Sequence, residues 1–421
     1  MARSLTIKAA LSWPILILIT WLMVASQASG ADTTKVIVMT SYPQEVVSQF
    51  EAAFEKQYPQ YRLEVLWRQS RDAMAYFKDA SHPVDVYWTP AQRNFSQLEK
   101  MQAFQPLKLN LDGLPASING FSLREGNYIA TETAGYGIVT NPQGLAAARL
   151  PVPHDWHDLA HPAWCGKVAL PVPSKVGYAP PLIDILLQGY GWQSGWNLLQ
   201  EIAANAELVG MGSTFITDDI ATGRLLAGLT IDFFTASAIA NGAPLQFIYP
   251  EVTGYSPAHI AVMKQAANQE GAQAFTSFVL SEQGQRLLFH PDIRKLPVRP
   301  SVYADKPAGY FNPFANNPAF TYDTKRGLTR QEITNALFDA IITENLASLQ
   351  QAIAAIQSAS NTLGENAPQV LQAKKLLQSL PMDEATAESK ATKALSTTET
   401  AQWQKIMHDR YQAAARIASG L

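Results

Sequence analysis

Apolar residues recur along this chain at two spacings, and the alternation between them defines its elements. Residues 35–40 (KVIVMT) form a nearly continuous apolar run, the pattern of a buried strand. Ser41-Tyr42-Pro43 then combine a hydroxyl residue with a proline, a helix-start signature. In the next segment Val46, Val47, Phe50, Ala53, Phe54 and Tyr58 fall at helical spacing, and Pro59 ends it. YRLEVLW alternates as a second strand and runs into Arg68-Gln69-Ser70-Arg71. A short helix (DAMAYFKDA) and a third strand (VDVYWT) follow, and Pro90 opens another helix. Strand–helix alternation at this spacing predicts parallel βαβ units. Ligands of such sheets sit beyond the carboxyl ends of the strands. Ser41-Tyr42, Arg68 to Arg71 and Trp88-Thr89 should therefore converge.

The segment 127–142 (NYIATETAGYGIVTNP) reads as two strands in line with Gly135 and Gly137 between them, a first crossing between two lobes. Residues 151–165 are loop-rich, with a short helix at DWHDLA. KVALPVPSKVGYAPPLIDILLQ is strand, turn and helix, the helix opening at Ser174. SGWNLLQEIAANA is an amphipathic helix, LVGMGSTFITDDIATGRLLAG is strand, loop and helix, and LTIDFF is another strand end. FIYPEVTGYSPAHIAVMK suits a second crossing, after which QEGAQAFTSFVLSEQGQRLLF is helical. The expectation is an α/β molecule with lobe one at 31–135 and 251–303 and lobe two at 136–250. Strands 35–40 and 168–172 would then lie in different sheets, and a cleft between lobes would close over a ligand.

From 304 the pattern changes. Residues 304–328 read as an extended wrap, and three helices follow as a C-terminal extension over the remainder of 304–421. Thr329 and Glu332 have capping-box spacing for the first, as do Ser396 and Glu399 for the last. Leu337, Ile341, Leu349, Ile353 and Ile356 make an apolar stripe, Val370 to Leu380 a second, and Trp403, Met407 and Tyr411 a third. These stripes pack on the protein's own lobes or dock a membrane partner.

The first thirty residues differ from the rest. Arg3 and Lys8 precede an apolar run (PILILITWLMVA) and a small-residue stretch, the order of a secretory signal peptide cleaved after Gly30. An uncleaved anchor is the alternative, although the run is short for a membrane span. Removal of the first 30 of 421 residues leaves 391 and moves the formal net charge from −3 to −5. That acidity gives nucleic acid no footing. Cys165 is the sole cysteine, so no internal disulfide forms.

Candidate ligand residues sit at the strand ends, each beside a plainer reading. Ser174 and Lys175 could cradle an anion, or serve as a helix cap with an exposed lysine. Arg68 and Arg71 could grip a phosphate or carboxylate bidentately, or pair with Glu64 and Asp72 at the surface. Ser41 could bind ligand or merely cap a helix. Tyr42 stands beside it. Trp88 is a platform or a core residue, and Thr89 offers a hydroxyl. Thr214 marks an anion-binding turn or a plain one, and Asp232 could accept from ligand hydroxyls. Tyr136 and Tyr255, at the crossings, touch ligand or pack the hinge. His154, His157 and His161 lie in one proline-rich loop away from these strand ends, so no metal or other cofactor is assigned. The chain carries no P-loop, GxSxG or HExxH motif, which leaves no positive case for an enzyme.

The run DWHDLAHPAWCGKVALPVPSKVGYAPPL, then GWNLLQEIAAN, IYPEVTGYSPAHIAVMK, AFTSFVLSEQGQRLL and LPVRPSVY resembles the type II periplasmic solute-binding proteins, within them the ferric-iron-binding branch. The resemblance implies a two-lobed fold and a small-molecule ligand. It also implies an inner-membrane partner, the permease of an ABC importer or a sensor kinase, and a monomer. Iron binders of this branch use adjacent tyrosines, where this sequence has Asp232-Phe233-Phe234. Tyr42 stands in place of a histidine, and Thr89-Pro90 in place of a glutamate. The branch also holds binders of phosphorylated small molecules, which the opening VIVMTSYPQEVVSQFEAAFEKQYP resembles more. The implied ligand is a small anionic, phosphoglycerate-like metabolite, with ferric iron or another metal as the alternative.

Overall fold

The structure, a computed structural model, describes residues 34–77, 83–210, 215–315 and 320–420. The N-terminal segment read as a signal peptide lies outside the described residues. The first half alternates as β1 (Thr34–Thr40), α1 (Gln44–Gln57), β2 (Tyr61–Trp67), α2 (Ser70–Tyr76), β3 (Val86–Thr89) and α3 (Gln92–Lys100). Short strands β4 (Ser117–Ile118), β5 (Phe121–Ser122) and β6 (Arg124–Glu125) lead into β7 (Tyr128–Thr140), which is 13 residues long. Then come α4 (Pro142–Ala148), β8 (Val168–Pro171), α5 (Ala179–Tyr190), α6 (Trp192–Ala204), β9 (Ala206–Val209), α7 (Phe215–Ala221), β10 (Ala227–Ile231) and α8 (Asp232–Ala240). The chain returns through β11 (Gln246–Ile248), β12 (Tyr255–Val262), α9 (Gln269–Leu280), α10 (Glu282–Leu287) and β13 (Leu296–Pro297). The remainder is helical: α11 (Thr324–Ile341), α12 (Leu346–Leu363), α13 (Pro368–Leu377), α14 (Glu384–Lys390) and α15 (Thr397–Ala418).

Two lobes emerge, but they are not two separate sheets. Strand pairing runs unbroken in the order β2-β1-β3-β12-β7-β10-β8-β9. The expected separation of strands 35–40 and 168–172 is thus corrected: they stand in two parts of one continuous strand order, on opposite sides of β7, which both parts share. The reason is that β7 is a single strand with two sets of partners. Its residues 129–135 pair with β12, and its residues 136–140 pair with β10. Gly135 and Gly137 do not break it. A Cβ on Gly135 would meet the Tyr249 ring at 2.6 Å, and one on Gly137 the Ile248 carbonyl at 2.2 Å, so the glycines admit the returning chain.

Alternation along β1 sends Val36 and Val38 to one face, against Val46, Val47, Phe50 and Phe54 of α1. Met39 points to the other, with Phe95 and Leu98 of α3. Helices therefore cover both faces, as parallel strands require. Two helix starts differ from expectation. α5 begins at Ala179, where Pro180 and Pro181 occupy the first turn, and not at Ser174. α11 begins at Thr324, capped by Asp323, so Thr329 lies inside the helix and bonds the Lys325 carbonyl instead. The Ser396–Glu399 capping box forms as expected.

The C-terminal helices pack chiefly on lobe two. The Arg330 guanidinium is 1% exposed, donates to Asp184 of α5 at 2.6 Å and to Glu384 of α14 at 2.7 Å, and lies over the Trp192 ring. Gln200 of α6 donates to the Leu377 carbonyl and to Tyr411. Toward lobe one the links are slighter. Tyr322 stacks on Phe121, and Arg93 meets Glu332 at 2.7 Å with both side chains more than half exposed.

Candidate functional site

The carboxyl ends of β1 and β3 lie side by side because the two strands pair in parallel, Thr40 opposite Trp88. One residue further on, the Ser41 and Thr89 hydroxyls are 2.5 Å apart. Ser41 makes no cap to α1, so its hydroxyl belongs to the strand-end rim. Tyr42 turns inward, its amide on the Thr40 hydroxyl at 3.0 Å and its ring edge-on to Trp88. Its phenol donates to Glu132 of β7. Trp88 is fully buried between Tyr42, Phe50 and Phe275, and its indole donates to Thr131 at 3.0 Å. Trp88 is a core residue here and offers no platform.

Beneath this rim sits a buried charge cluster. Lys295, just before β13, places Nζ 3.8 Å from Glu132 Oε1, between the rings of Tyr42 (4.9 Å) and Phe233 (4.6 Å). From lobe two, Asp232 at the start of α8 accepts from the Gly135 amide and the Tyr249 hydroxyl, each at 2.8 Å. Burial lifts Asp232 to about 6, against the pull of those two donors and of the Lys295 charge. Burial pushes the Lys295 ammonium down from its ordinary value, while Glu132 and Asp232 hold it up. One cation thus faces two carboxylates, Glu132 on the first pairing segment of β7 and Asp232 across from it. A cavity of about 480 Å³ opens on the far side of Asp232, lined among others by Phe247, Arg294, Tyr310 and Phe311.

On lobe two, Ser174 and Lys175 occupy the exposed turn between β8 and α5. The Lys175 stem lies against Gly210 at the end of β9, where an added Cβ would stand 3.0 Å from Lys175 Cδ. Ser174 Oγ donates to Asp339 Oδ1 of α11 at 3.1 Å. Phe233 and Phe234 are half-buried, 4.1 Å apart, with Tyr178 beside Phe234 at 5.9 Å.

Of the remaining sequence candidates, Arg68 does lie beside the end of β1, its amide on the Thr40 carbonyl at 2.9 Å, while its exposed guanidinium rests over the Tyr76 ring and bonds the Trp67 carbonyl. Tyr136 and Tyr255 are buried at the crossing, Tyr255 edge-on to Phe121. The side chain of Arg71, and Thr214 altogether, lie outside the described residues. The histidines serve their own loop: Asp155 pairs with His157, His161 accepts from the Ala163 amide, and His154 donates its backbone amide to Asp158. Sequence reasoning passed over Lys295, Glu132, Tyr249 and Asp339. Only Glu132 gave a signal, a carboxylate inside an otherwise uncharged buried strand.

Chemically, the Ser41 hydroxyl at the ends of β1 and β3, and the exposed Ser174 hydroxyl and Lys175 ammonium on the turn after β8, are groups of the kind that hold an anion, whereas Thr89 is fully buried with its hydroxyl on Ser41. Iron would find poor ligands among the residues described. Positions 233 and 234 carry no phenol, and Tyr42, buried beside Glu132, keeps its proton well above the ordinary phenol range.

Comparison with known proteins agrees with this geometry. A family profile described as bacterial extracellular solute-binding protein matches residues 84–315. The phosphoglycerate transport regulatory protein PgtC of Salmonella typhimurium is 32% identical over 313 residues, 74% of this chain and 77% of its own length. The periplasmic binding protein AfuA of Actinobacillus pleuropneumoniae, solved with fructose-6-phosphate, superposes with a TM-score of 0.61 at 19% identity, covering 72% of this chain and 98% of that one. Iron-bound HitA of Pseudomonas aeruginosa gives 0.57 at 16% identity, over 72% and 99%. At such identities the solved structures speak for the fold: two lobes of the periplasmic binding protein type, here with a helical C-terminal region.

Proposed function

Since the chain belongs to the bacterial extracellular solute-binding proteins, we propose that it captures a small phosphorylated, phosphoglycerate-like metabolite and presents it to a membrane partner. Members of this family bind small molecules for membrane transporters and are not enzymes. The observation that carries the phosphorylated ligand is the pair of rims. Ser41 and Thr89 stand on one lobe, Ser174 and Lys175 on the other, and positions 233 and 234 carry phenylalanines in place of a phenol pair. PgtC and fructose-6-phosphate-bound AfuA support the same ligand class. The mature protein works as a periplasmic monomer once cleaved after Gly30, with lobes at 31–135 with 251–303 and at 136–250 that share one continuous sheet through β7 and change over between its residues 135 and 136. Its partner is an ABC permease or a sensor kinase that controls uptake. Titration calorimetry with phosphoglycerates, phosphoenolpyruvate, sugar phosphates and ferric citrate tests the proposal. Tight binding of a phosphorylated compound is expected, and binding of ferric iron with no phosphorylated ligand would overturn it.

A further inference from the structure

Beyond the sheet, the two lobes are gripped by two consecutive residues of the C-terminal region. The β4–β5 hairpin belongs with lobe one: β6 follows it and pairs with the start of β7, and the Leu123 carbonyl takes the Ala130 amide at 2.8 Å. Tyr322 lies against this hairpin. Its amide donates to the Asn119 carbonyl at 3.1 Å, and its ring stacks on Phe121 with centroids 4.5 Å and planes 13° apart. Asp323, the next residue, is held by lobe two. Its amide donates to Gln188 Oε1 of α5 at 2.8 Å, and Gln188 Nε2 donates back to the Asp323 carbonyl at 3.0 Å. Asp323 also caps α11, which Arg330 pins to Asp184.

We propose that this segment is a clasp on the cleft: Tyr322 on Phe121 holds the ligand-free lobes in the relation seen here and limits how far they part. The peptide unit between Tyr322 and Asp323 fixes their Cα atoms about 3.8 Å apart and does not stretch. Any movement of the hairpin away from α5 must therefore break one of the two grips. The lobe-two grip has a reciprocal pair of hydrogen bonds and a helix cap behind it, whereas the lobe-one grip is one hydrogen bond and a ring stack. The lobe-one grip is the one that releases. Release brings Tyr322 and Phe121, now 4% and 2% exposed, into water, and that apolar exposure opposes opening. Arg93 of α3 and Glu332 of α11 also span the lobes, but a pair so exposed adds little. A ligand then meets lobes already near their places, so less of its binding free energy goes into bringing them together. The clasp acts whatever the cleft binds.

The experiment measures the distance between lobes in the ligand-free full chain. Cys165, the sole cysteine, is exposed on lobe two, and Lys56 is exposed at the end of α1 on lobe one. Spin labels on Cys165 and on Lys56→Cys report that distance by pulsed dipolar spectroscopy. Tyr322→Ala should lengthen and broaden the distribution by about 3 Å or more, roughly the reach of one residue. Arg93→Ala should leave it as in the native protein. A native distribution in Tyr322→Ala, folded by its melting curve, would overturn the proposal, as would opening by Arg93→Ala to the same extent. Should Tyr322→Ala fail to fold, a single glycine inserted between Tyr322 and Asp323 decides: it spares both grips and adds slack, so the distribution should lengthen, and an unchanged one refutes the clasp.

Discussion

Lys295 Nζ stands 3.8 Å from Glu132 Oε1, and neither side chain is more than 6% exposed. A buried pair of this kind adds little net stability, but breaking it leaves one charge without compensation. Glu132→Gln should therefore destabilise the protein by about 3–5 kcal/mol. The double variant Glu132→Gln with Lys295→Met should recover a substantial part of that loss. Chemical denaturation at neutral pH measures both. Equal losses in the single and double variants would show that the ammonium does not depend on Glu132.

His259, fully buried on β12 with Phe95 and Tyr128 around it, has its ionisation pushed down to about 3 by burial. Its neutral form is the one that fits. The folded state refuses a proton that the unfolded chain accepts near 6.5, so stability attributable to this residue is full above that pH and lost as the pH falls toward 3. His259→Leu should flatten the acid side of the stability profile by on the order of a few kcal/mol and change stability little at pH 7.5. Melting temperatures from pH 4 to 8 read this directly, and parallel profiles would exclude the mechanism.

Arg330 fastens α11 to lobe two, because its guanidinium is buried against Asp184 and Trp192 and reaches Glu384. Arg330→Ala leaves Asp184 buried without its cation, a cost of about 3–5 kcal/mol. The C-terminal helices should loosen first, giving protease cuts beyond residue 323 while the lobes persist. Cleavage distributed evenly over the whole chain would argue against a separable anchor.

Lys175 projects from the lobe-two rim, whereas Arg68 rests on Tyr76 beyond an edge strand. Lys175→Ala should weaken a phosphorylated ligand by roughly 1.5–3 kcal/mol, and Arg68→Ala by less than about 0.7 kcal/mol. Lys264→Ala, at an exposed position on the β12 side of lobe one, serves as the control. Calorimetry that ranks Arg68 above Lys175 would move the anion to the other lobe's edge.

Most strands and helices were legible because their apolar periods reflect burial on one face or both. The strand–helix alternation, the two crossings and the capping box at Ser396 all follow from that local code. What local patterns hide is long-range pairing. Lys295 lies in RKLPVRP, a basic stretch with the look of a surface loop, and only the fold carries it beneath Tyr42 and Phe233. Trp88 could be read as platform or core until Phe50 and Phe275 were seen to enclose it. Ser174 resembled a helix cap because its true partner, Asp339, is 165 positions away.

The 13 residues of β7 are held on both edges, by β12 and β13 along one stretch and by β10 and β11 along the other. A strand pinned in this way resists a sharp bend, since bending would tear ladder bonds around Tyr136. It yields more readily to torsion, with a few degrees absorbed at each residue as sheets commonly do. The two lobes are accordingly coupled like plates on a torsion bar. Opening and closing should follow one twisting coordinate with a restoring force, and the cleft should spring back once its ligand has left.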